Sequence, residues 1–419
     1  MKPSPEDRAF TWAASALAFV LRLAWGLAVR VPPAWDGELY ERAARGIARG
    51  LGYSCFMFGP TADPTVPTAY YPVGYPALLG ALYAVLGEAP WVIALAGSLA
   101  GAGTVALVHR LARRVSSPGA ARLAALGLAL LPGQVLFAST PMTETLWGLT
   151  LTLAVYLVGW REGSLSSAAA TAAALALAVY VRPQAALLAP VLPLVVAGTW
   201  RLRARQALLV TALTTLAVLP WSARNCRAVD GCAFVSTNGG GNLAIGALPG
   251  AVGTFRFLTA RDGCRGVVGE VARDRCWRSL AWATVRRDPS RWLRLAGAKF
   301  YHTYAYEAFP VGYLRTARPD LLGPELERRG RVALSIPWRC VYLLALLALL
   351  PLYPRRGVGL VGARCLAATG VVLCTHLIFF GGDRYHLPVT GLLLVVASGA
   401  LRELPGRAPS GRLRAVERP

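Results

Sequence analysis

The chain has 419 residues, of which 55% are hydrophobic and 16% charged, and its mean hydropathy is +0.47. Soluble domains carry about 25% charged residues, so this composition excludes an ordinary soluble protein and predicts a polytopic membrane protein. The formal net charge of +23 does not indicate nucleic-acid binding, because the arginines are spread between apolar segments and no basic run is interleaved with aromatic residues. We therefore expect the lipid bilayer as a partner and no nucleic acid.

Apolar segments long enough to cross a bilayer recur along the chain, since a span needs about 20 mostly apolar residues. They lie near 11–31, 91–109, 119–138, 142–160, 165–181, 184–200, 206–222, 335–352, 359–380 and 384–401. The sequence thus predicts an all-α membrane protein with about ten transmembrane helices, the first being an uncleaved signal anchor. Residues 73–87 are shorter and fit an eleventh span, an amphipathic helix on the membrane or packing beneath the first outer loop.

Arginines in the short loops set the expected orientation, because such loops are enriched in Lys and Arg on the cytoplasmic side. If residues 73–87 lie on the surface and the N-terminus is cytoplasmic, every short basic loop falls inside. These loops carry Arg110, Arg113, Arg114, Arg161, Arg201, Arg203, Arg205, Arg355, Arg356 and the arginines from Arg402 onward. We therefore predict a multi-pass protein of the cell membrane with both termini in the cytoplasm.

This topology divides the chain into four parts. An N-terminal transmembrane module covers 1–222 and contains the first outer loop, 32–90; an extracytoplasmic loop region follows at 223–334. C-terminal transmembrane helices cover 335–402, and a cytoplasmic tail covers 403–419. The region 223–334 contains 18 Lys and Arg against 9 Asp and Glu, an excess that can attract anionic phosphate groups.

The eight cysteines fall into two groups. Cys340, Cys365 and Cys374 lie in or beside predicted spans, where thiols act as small hydrophobic groups. The predicted outer segments contain Cys55, Cys226, Cys232, Cys264 and Cys276. Cys226 with Cys232, and Cys264 with Cys276, are plausible disulfides in an oxidising compartment, although spacing alone does not fix connectivity. No zinc-site spacing is present, and the four histidines are scattered.

Two carboxylates, Asp36 and Glu38, follow the first apolar segment directly, behind Pro32 and Pro33. Charged side chains so close to hydrocarbon are costly and usually functional. The alternative is that they only cap an interfacial helix that begins near Glu38.

Further polar residues reach the same predicted membrane face from separate loops. They are Glu144, Arg182, Arg224, Asp383, Arg384 and Tyr385. Acids and arginines delivered to one surface by different spans are what a site for an anionic substrate requires. Each arginine alone could instead extend to lipid headgroups, and Glu144 could simply stabilise the start of its span through the helix dipole.

Seven short motifs occur in an order that resembles the GT-C superfamily of membrane glycosyltransferases. They are Asp36-Gly37-Glu38, Tyr71-Pro72-Val73-Gly74-Tyr75-Pro76, Thr143-Glu144, Val181-Arg182-Pro183, residues 220–225, residues 236–246 and Asp383-Arg384-Tyr385. With the hydropathy profile, the chain is similar to the branch of protein O-mannosyltransferases and lipid A aminoarabinose transferases (glycosyltransferase families 39 and 83) over roughly residues 12–400.

The resemblance implies an inverting glycosyltransferase that takes a sugar from a polyprenyl-phosphate donor on the outer face of the membrane. An acceptor hydroxyl attacks the anomeric carbon, and the lipid phosphate leaves. The acid after the first span, Asp36, takes the position of the general base, and Glu144 takes that of the second acid, which binds sugar hydroxyls or positions the acceptor. Neither the sugar nor the acceptor, whether protein, lipid or polysaccharide, can be deduced.

The residues themselves suggest further roles. Glu38 can orient the acceptor or a sugar hydroxyl. Arg182, Arg224 and Arg384 are candidates to bind the phosphate, because the planar guanidinium donates two parallel hydrogen bonds. Asn242, within a run of glycines, can hydrogen-bond substrate.

Three remaining expectations concern residues outside the donor site. Arg22, inside the first span, is expected to have a structural role. Because neither a His pair nor a Glu–His helical spacing is present, we expect no cofactor and no essential metal. His386 lies in the last predicted outer turn and has no partner for a metal site there.

Two other functions remain open at this stage. A transporter or flippase of lipid-linked sugars usually shows inverted repeats around polar sites at the membrane midplane. No internal repeat is visible here, and the polar residues gather at one face. A non-catalytic relative that serves as an assembly partner is the third possibility, against which the presence of Asp36 speaks.

Overall fold

The computed structural model describes residues 4–54, 65–350 and 359–400, and in this part of the chain all regular structure is helical. The α-helices are α1 Pro5–Val29, α2 Asp36–Ala48, α3 Gly74–Leu86, α4 Pro90–Ala112, α5 Pro118–Leu130, α6 Pro132–Phe137, α7 Glu144–Val158, α8 Leu165–Val181, α9 Leu188–Val191, α10 Trp200–Ala228, α11 Gly239–Ala247, α12 Glu270–Arg287, α13 Pro289–Tyr304, α14 Phe309–Ala317, α15 Pro324–Leu347, α16 Gly359–Ile378 and α17 Thr390–Ala400. Extended pairing in the described residues is limited to isolated bridges, Ser54 with Pro67 and Thr254 with Gly381.

Five of the helices are long and apolar enough to cross a membrane: α1, α4, α10, α15 and α16. Shorter apolar helices occupy most of the other predicted spans, including α5, α7, α8 and α17. The predicted all-helical, multi-pass membrane fold is therefore confirmed. The tail 403–419, together with Cys55, Arg355, Arg356 and Arg402, lies outside the described residues.

Prolines divide two of the predicted spans. The predicted span 184–200 is a succession of short turns, with 3-10 segments at Pro183–Leu187 and Leu192–Val195 on either side of α9. The predicted span 119–138 is interrupted at Leu131, directly before Pro132, which separates α5 from α6. Proline removes a backbone donor and clashes with the preceding turn, so a continuous helix cannot pass through it without a kink or break.

The ambiguous segment 73–87 forms α3, which has 13 residues. That length is below the roughly 20 residues that a straight transmembrane helix needs. Its face with Tyr75, Leu79 and Tyr83 is buried against α2, whereas Val85 is exposed. This arrangement agrees with packing beneath the first outer loop, and its position at the membrane surface stays a prediction.

Small residues on α4 let the neighbouring backbones come very close. A side chain at Gly97 would overlap the Ala138 carbonyl, and one at Gly101 would meet the Arg22 guanidinium. Close approach at small residues is a common basis of helix packing in membranes. Gly101 therefore makes room for a charged side chain inside the bundle.

Arg22, which is 1% exposed, binds backbone carbonyls at the break between α5 and α6. Its guanidinium donates to the carbonyl oxygens of Leu128 and Ala129 at 3.0 Å each, and to that of Ala18 at 3.1 Å. The break deprives carbonyls at the end of α5 of helical partners, and in hydrocarbon such groups must be satisfied within the protein. The expected structural role of Arg22 agrees with these contacts.

We expect Arg22→Met to lower the thermal unfolding midpoint of the purified protein, because it leaves buried carbonyls without donors, each worth about 1–3 kcal/mol. The effect should be one of stability, since the hydrogen bonds that Arg22 makes within the described residues all go to backbone carbonyls. An unchanged midpoint would contradict this role.

The end of the bundle that contains the start of α1 is basic. Arg113 pairs with Asp7 at 3.1 Å, and Arg364 pairs with Glu162 at 2.7 Å and donates to the Val195 carbonyl. Arg114 also donates to the Gly159 carbonyl at 3.1 Å. Together these contacts bring three predicted cytoplasmic segments, the N-terminus, 110–118 and 161–164, to one end of the bundle.

The predicted outer region is largely helical in the described residues, with α11 to α14 following the end of α10. Disulfides join Cys226 to Cys232 and Cys264 to Cys276, the two pairings that the sequence made plausible. The second tethers α12 to the turn before it.

Candidate active site

The site begins at the N-terminus of α2, where Asp36 is the first helical residue. Trp35 before it has φ 51° and ψ −129°, a backbone conformation that non-glycine residues rarely adopt and that often marks functional positions. The Trp35 ring packs edge-on against Phe309 and Tyr313, at 5.3 and 5.4 Å between ring centroids. The Tyr313 hydroxyl also accepts a hydrogen bond from the Ala34 amide at 2.7 Å. The start of α2 is thus fixed against α14.

Both carboxylate oxygens of Asp36 have partners outside its own helix. Oδ1 accepts a hydrogen bond from the Tyr71 hydroxyl at 2.8 Å, and Oδ2 pairs with Nη2 of Arg384 at 2.9 Å. Trp35, at the N-cap position, makes no side-chain cap. Asp36 is therefore engaged with other parts of the chain, which the capping-only interpretation does not require.

Opposing effects act on the pKa of Asp36. Burial raises it, but the positive charge of Arg384 and the Tyr71 hydrogen bond outweigh burial and hold the pKa below its ordinary value. The Asp36 carboxylate is therefore ionised at neutral pH.

Glu144 lies between two arginines at the start of α7. Its Oε1 contacts Nη2 of Arg182 at 2.5 Å and Nε of Arg384 at 3.5 Å. The Glu144 side chain is fully buried, and Arg182 also donates from Nε to the Thr143 hydroxyl at 2.8 Å. Glu144 is a first-turn residue, as the dipole interpretation expects, and it also holds two cations together.

These contacts form one connected network, which we call the acid–arginine network. Its members are Tyr71, Asp36, Arg384, Glu144 and Arg182. Its two carboxylates and two guanidinium groups balance in charge. The carboxylates come from α2 and from the start of α7. The guanidinium groups come from the end of α8 and from the segment after α16, so members of the network lie up to about 350 positions apart in the sequence.

The two arginines of the network retain unused donors. In the described part of the chain, neither Arg182 nor Arg384 makes a hydrogen bond through Nη1, and each side chain is 15% exposed. Aromatic rings flank both: Arg384 lies 4.9 Å from the Phe309 ring centroid, and both guanidinium groups lie within 6 Å of the Tyr385 ring. Such rings favour a cation and restrict its movement.

Two other predicted residues have contacts of a different kind. Arg224 donates to the Thr68 and Tyr53 carbonyls at 2.6 and 2.7 Å, which ties α10 to the first outer loop. Asp383 accepts from the Ala308 and Phe309 amides at 2.5 Å each, at the N-terminus of α14. Their roles in substrate binding stay predictions beside these structural contacts.

Glu38 and Asn242 lie outside the acid–arginine network. Glu38 is exposed on α2. Asn242 is half-buried on α11, one turn before Ile245, which packs with Phe380 and Tyr385. Within the described residues, neither Glu38 nor Asn242 bonds to the network, and both assignments stay predictions.

Sequence reasoning did not assign roles to Tyr71 and Glu270. Tyr71 belongs to a quoted motif, yet only the fold reveals its hydroxyl at Asp36. Glu270, 5% exposed, accepts from the Thr68 hydroxyl at 2.5 Å and the Ala69 amide at 2.8 Å, which orders the segment that leads to Tyr71. Burial raises the pKa of Glu270, and these hydrogen bonds oppose that rise. The available signal was an acidic residue at the first position of an Arg-rich helix.

The described residues contain no group of three or more His, Cys, Asp or Glu side chains arranged to hold a metal ion. The carboxylates of Asp36 and Glu144 point instead at arginines. That no essential metal is required remains a prediction.

Comparison with known proteins agrees with the predicted resemblance. Residues 71–223 match the family model described as dolichyl-phosphate-mannose-protein mannosyltransferase. The oligosaccharyltransferase of Archaeoglobus fulgidus in its apo form superposes with a TM-score of 0.54 at 13% identity, over 93% of this chain and 50% of that one. The same enzyme tethered to an acceptor peptide with the NVT sequon gives 0.55 at 13% identity, over 94% and 49%.

ArnT from Cupriavidus metallidurans bound to undecaprenyl phosphate aligns over 94% of this chain and 77% of that one, at 16% identity and a TM-score of 0.43. The chain spans about half the length of the archaeal oligosaccharyltransferase. Comparison with curated protein sequences gives no significant match. The chain has the fold of GT-C glycosyltransferases, which confirms the resemblance that its motifs indicate.

Proposed function

We propose that this chain, with its GT-C fold, is an inverting glycosyltransferase that moves a sugar from a polyprenyl-phosphate donor to an acceptor hydroxyl on the outer face of the membrane. The observation that carries the proposal is the acid–arginine network: an ionised carboxylate beside two arginines with unused Nη1 donors. The description of the matched family, which names a dolichyl-phosphate-linked sugar, supports the donor class.

The network supplies both groups that the reaction needs. The acceptor hydroxyl attacks the anomeric carbon, and its proton passes to the Asp36 carboxylate as the new C–O bond forms. The bond between the anomeric carbon and the phosphate oxygen breaks on the opposite face, so the configuration inverts. A positioned carboxylate contributes about 10²–10⁴-fold as a general base.

The leaving phosphate gains negative charge, and Arg384 and Arg182 are placed to accept it. A guanidinium binds phosphate through parallel N–H groups, and each arginine has Nη1 available for such a contact. Glu144 contacts both cations from a fully buried side chain and so keeps them in place. This preorganised charge stabilises the transition state without rearrangement during the reaction.

Donor binding also changes the environment of the base. A phosphate that shares Arg384 weakens the hold of that arginine on Asp36, which raises the proton affinity of the carboxylate. Asp36 thereby becomes a better base when the donor is present. This coupling favours transfer only in the complex with both substrates.

We expect Tyr71→Phe to move the acidic limb of the kcat/KM pH profile to higher pH. The Tyr71 hydroxyl bonds the ionised form of Asp36 and lowers its pKa, so its loss raises that pKa. Because the protonated carboxyl cannot accept the acceptor proton, activity is lost at a higher pH than in wild type. A pH titration of transfer rates checks this, and an unmoved acidic limb would contradict it.

The proposed function is tested with membranes that contain the expressed protein and labelled polyprenyl-phosphate sugars. Label should become covalently attached to an acceptor with inverted anomeric configuration, and free polyprenyl phosphate should accumulate in equal amount. Label that crosses the membrane but stays on its lipid would favour a flippase. No transfer with any donor of this class would overturn the proposal.

A further inference from the structure

A buried pair of a carboxyl group and an imidazole lies behind the acid–arginine network. His386 is two positions after Arg384, and its Nε2 lies 3.0 Å from Oε2 of Glu307, in the turn between α13 and α14. The side chains are 0% and 1% exposed. A buried acid and base that contact no substrate require an explanation, because burying them is costly unless they are paired.

Each member of this pair is fixed by further contacts. Nδ1 of His386 lies 2.7 Å from the Thr303 carbonyl, which can only accept, so Nδ1 carries a hydrogen. The imidazole stacks on the Trp338 ring with 3.7 Å between ring centroids. The backbone amide of Glu307 donates to the Ser335 hydroxyl at 3.0 Å. The pair therefore joins α13, the turn before α14, α15 and the segment that carries Arg384.

A second contact fastens the same two segments. Asp383 binds the amides of Ala308 and Phe309 at 2.5 Å, and the ring of Phe309 lies under the Arg384 guanidinium. Arg384 is thus held between two attachments, Asp383 on one side and His386 on the other. Both attachments reach the turn that carries Glu307.

We propose that the Glu307–His386 pair positions Arg384 against Asp36 and Glu144. Glu307 and His386 are positioning residues and touch neither substrate. The consequence for the lipid phosphate rests on the proposed function, whereas the effect on the place of Arg384 does not.

Gly133, at the start of α6, gives an independent way to disturb the pair. Oε1 of Glu307 is buried and has no hydrogen-bond partner among the described residues. It lies so close to Gly133 that a β-carbon there would overlap it. Gly133→Ala therefore has to displace the Glu307 carboxylate without removing any charge. Gly127→Ala is the matched control, because a β-carbon at that position makes only an ordinary contact with Leu394.

The test is arginine labelling of the full-length protein in lipid nanodiscs with phenylglyoxal, read by mass spectrometry. Glu307→Ala and Gly133→Ala should increase the labelling rate of Arg384 by about tenfold, as local opening exposes it. Gly127→Ala should not. Glu307→Gln should retain the wild-type rate, because its amide donates to Nε2 of a neutral His386.

Arg364, which is 1% exposed and pairs with Glu162 at the basic end of the bundle, reports on the whole fold. Wild-type labelling of Arg384 in Glu307→Ala would overturn the proposal. Equal increases at Arg364 and Arg384 would also overturn it, since the pair would then stabilise the fold in general.

Binding of a polyprenyl phosphate to the same variants separates this inference from the proposed function. Two results together would support both the positioning role of the pair and the role of Arg384 as a phosphate ligand. The first is increased Arg384 labelling with weaker polyprenyl-phosphate binding in Glu307→Ala. The second is that binding weakens no further when Glu307→Ala is added to Arg384→Ala. Increased labelling with unchanged binding keeps the positioning role and removes Arg384 as a phosphate ligand.

Discussion

Asp36→Asn is expected to reduce sugar transfer by about 10²–10⁴-fold, the usual contribution of a general base. Asparagine has the same shape but cannot take the acceptor proton. The fold should persist, because the Asn oxygen can accept from Arg384 while its amide donates to Tyr71, whose hydroxyl can act as acceptor. Transfer rates at matched expression, with polyprenyl-phosphate binding measured in parallel, check this.

Glu41→Gln is a suitable control for this experiment. Glu41 lies on the same helix, and its carboxylate bonds Arg45 through Nε at 2.7 Å without contact to Asp36. It therefore tests whether loss of any carboxylate from α2 reduces transfer. Full activity of Asp36→Asn would remove Asp36 as the base and leave Glu144 as the next candidate.

Glu144→Ala is expected to give the largest loss of stability. The substitution leaves Arg182 without its buried carboxylate partner, and Asp36, which pairs with Arg384, is then the only acid of the network beside two arginines. Removing one partner of a buried ion pair in this way costs about 3–5 kcal/mol. Thermal unfolding of the purified protein measures it. Transfer should also be lost, since the arginines no longer hold their positions.

Added polyprenyl phosphate should restore part of the stability of Glu144→Ala, because its negative charge replaces the missing carboxylate and binding stabilises the folded state. Glu162→Ala provides the comparison. It leaves Arg364 without its acidic partner elsewhere in the bundle, so it should lower the midpoint without this rescue. A Glu144→Ala protein as stable as wild type would contradict the account.

The convergence of the site could be predicted because topology alone brings loop ends together. Asp36, Glu144, Arg182 and Arg384 were each assigned to one membrane face from hydropathy and short basic loops, and the structure brings all four into contact. The only further assumption was the orientation of the chain across the bilayer, with a cytoplasmic N-terminus. The pairing of each acid with a particular arginine could not be predicted from the sequence, because it depends on how each helix is rotated about its axis.

Contacts that depend on helix packing could not be predicted. The close approach of Glu307 to Gly133 and the hydrogen bond from Tyr71 to Asp36 join positions whose separation in the chain carries no periodic signal. Pro183, Pro190 and Pro193 indicate locally that the predicted span 184–200 is divided. The prediction of a single span rested instead on the apolar composition of the segment. A membrane tolerates such breaks where neighbouring groups satisfy the backbone.

The most direct measurement is an experimental structure of the full chain in lipid with a bound polyprenyl phosphate. We expect phosphate oxygens within about 3 Å of Arg384 or Arg182, with the face that would carry the sugar directed toward Asp36. A phosphate bound elsewhere, with the ion pairs of the acid–arginine network unchanged, would contradict the assignment of this network as the donor site.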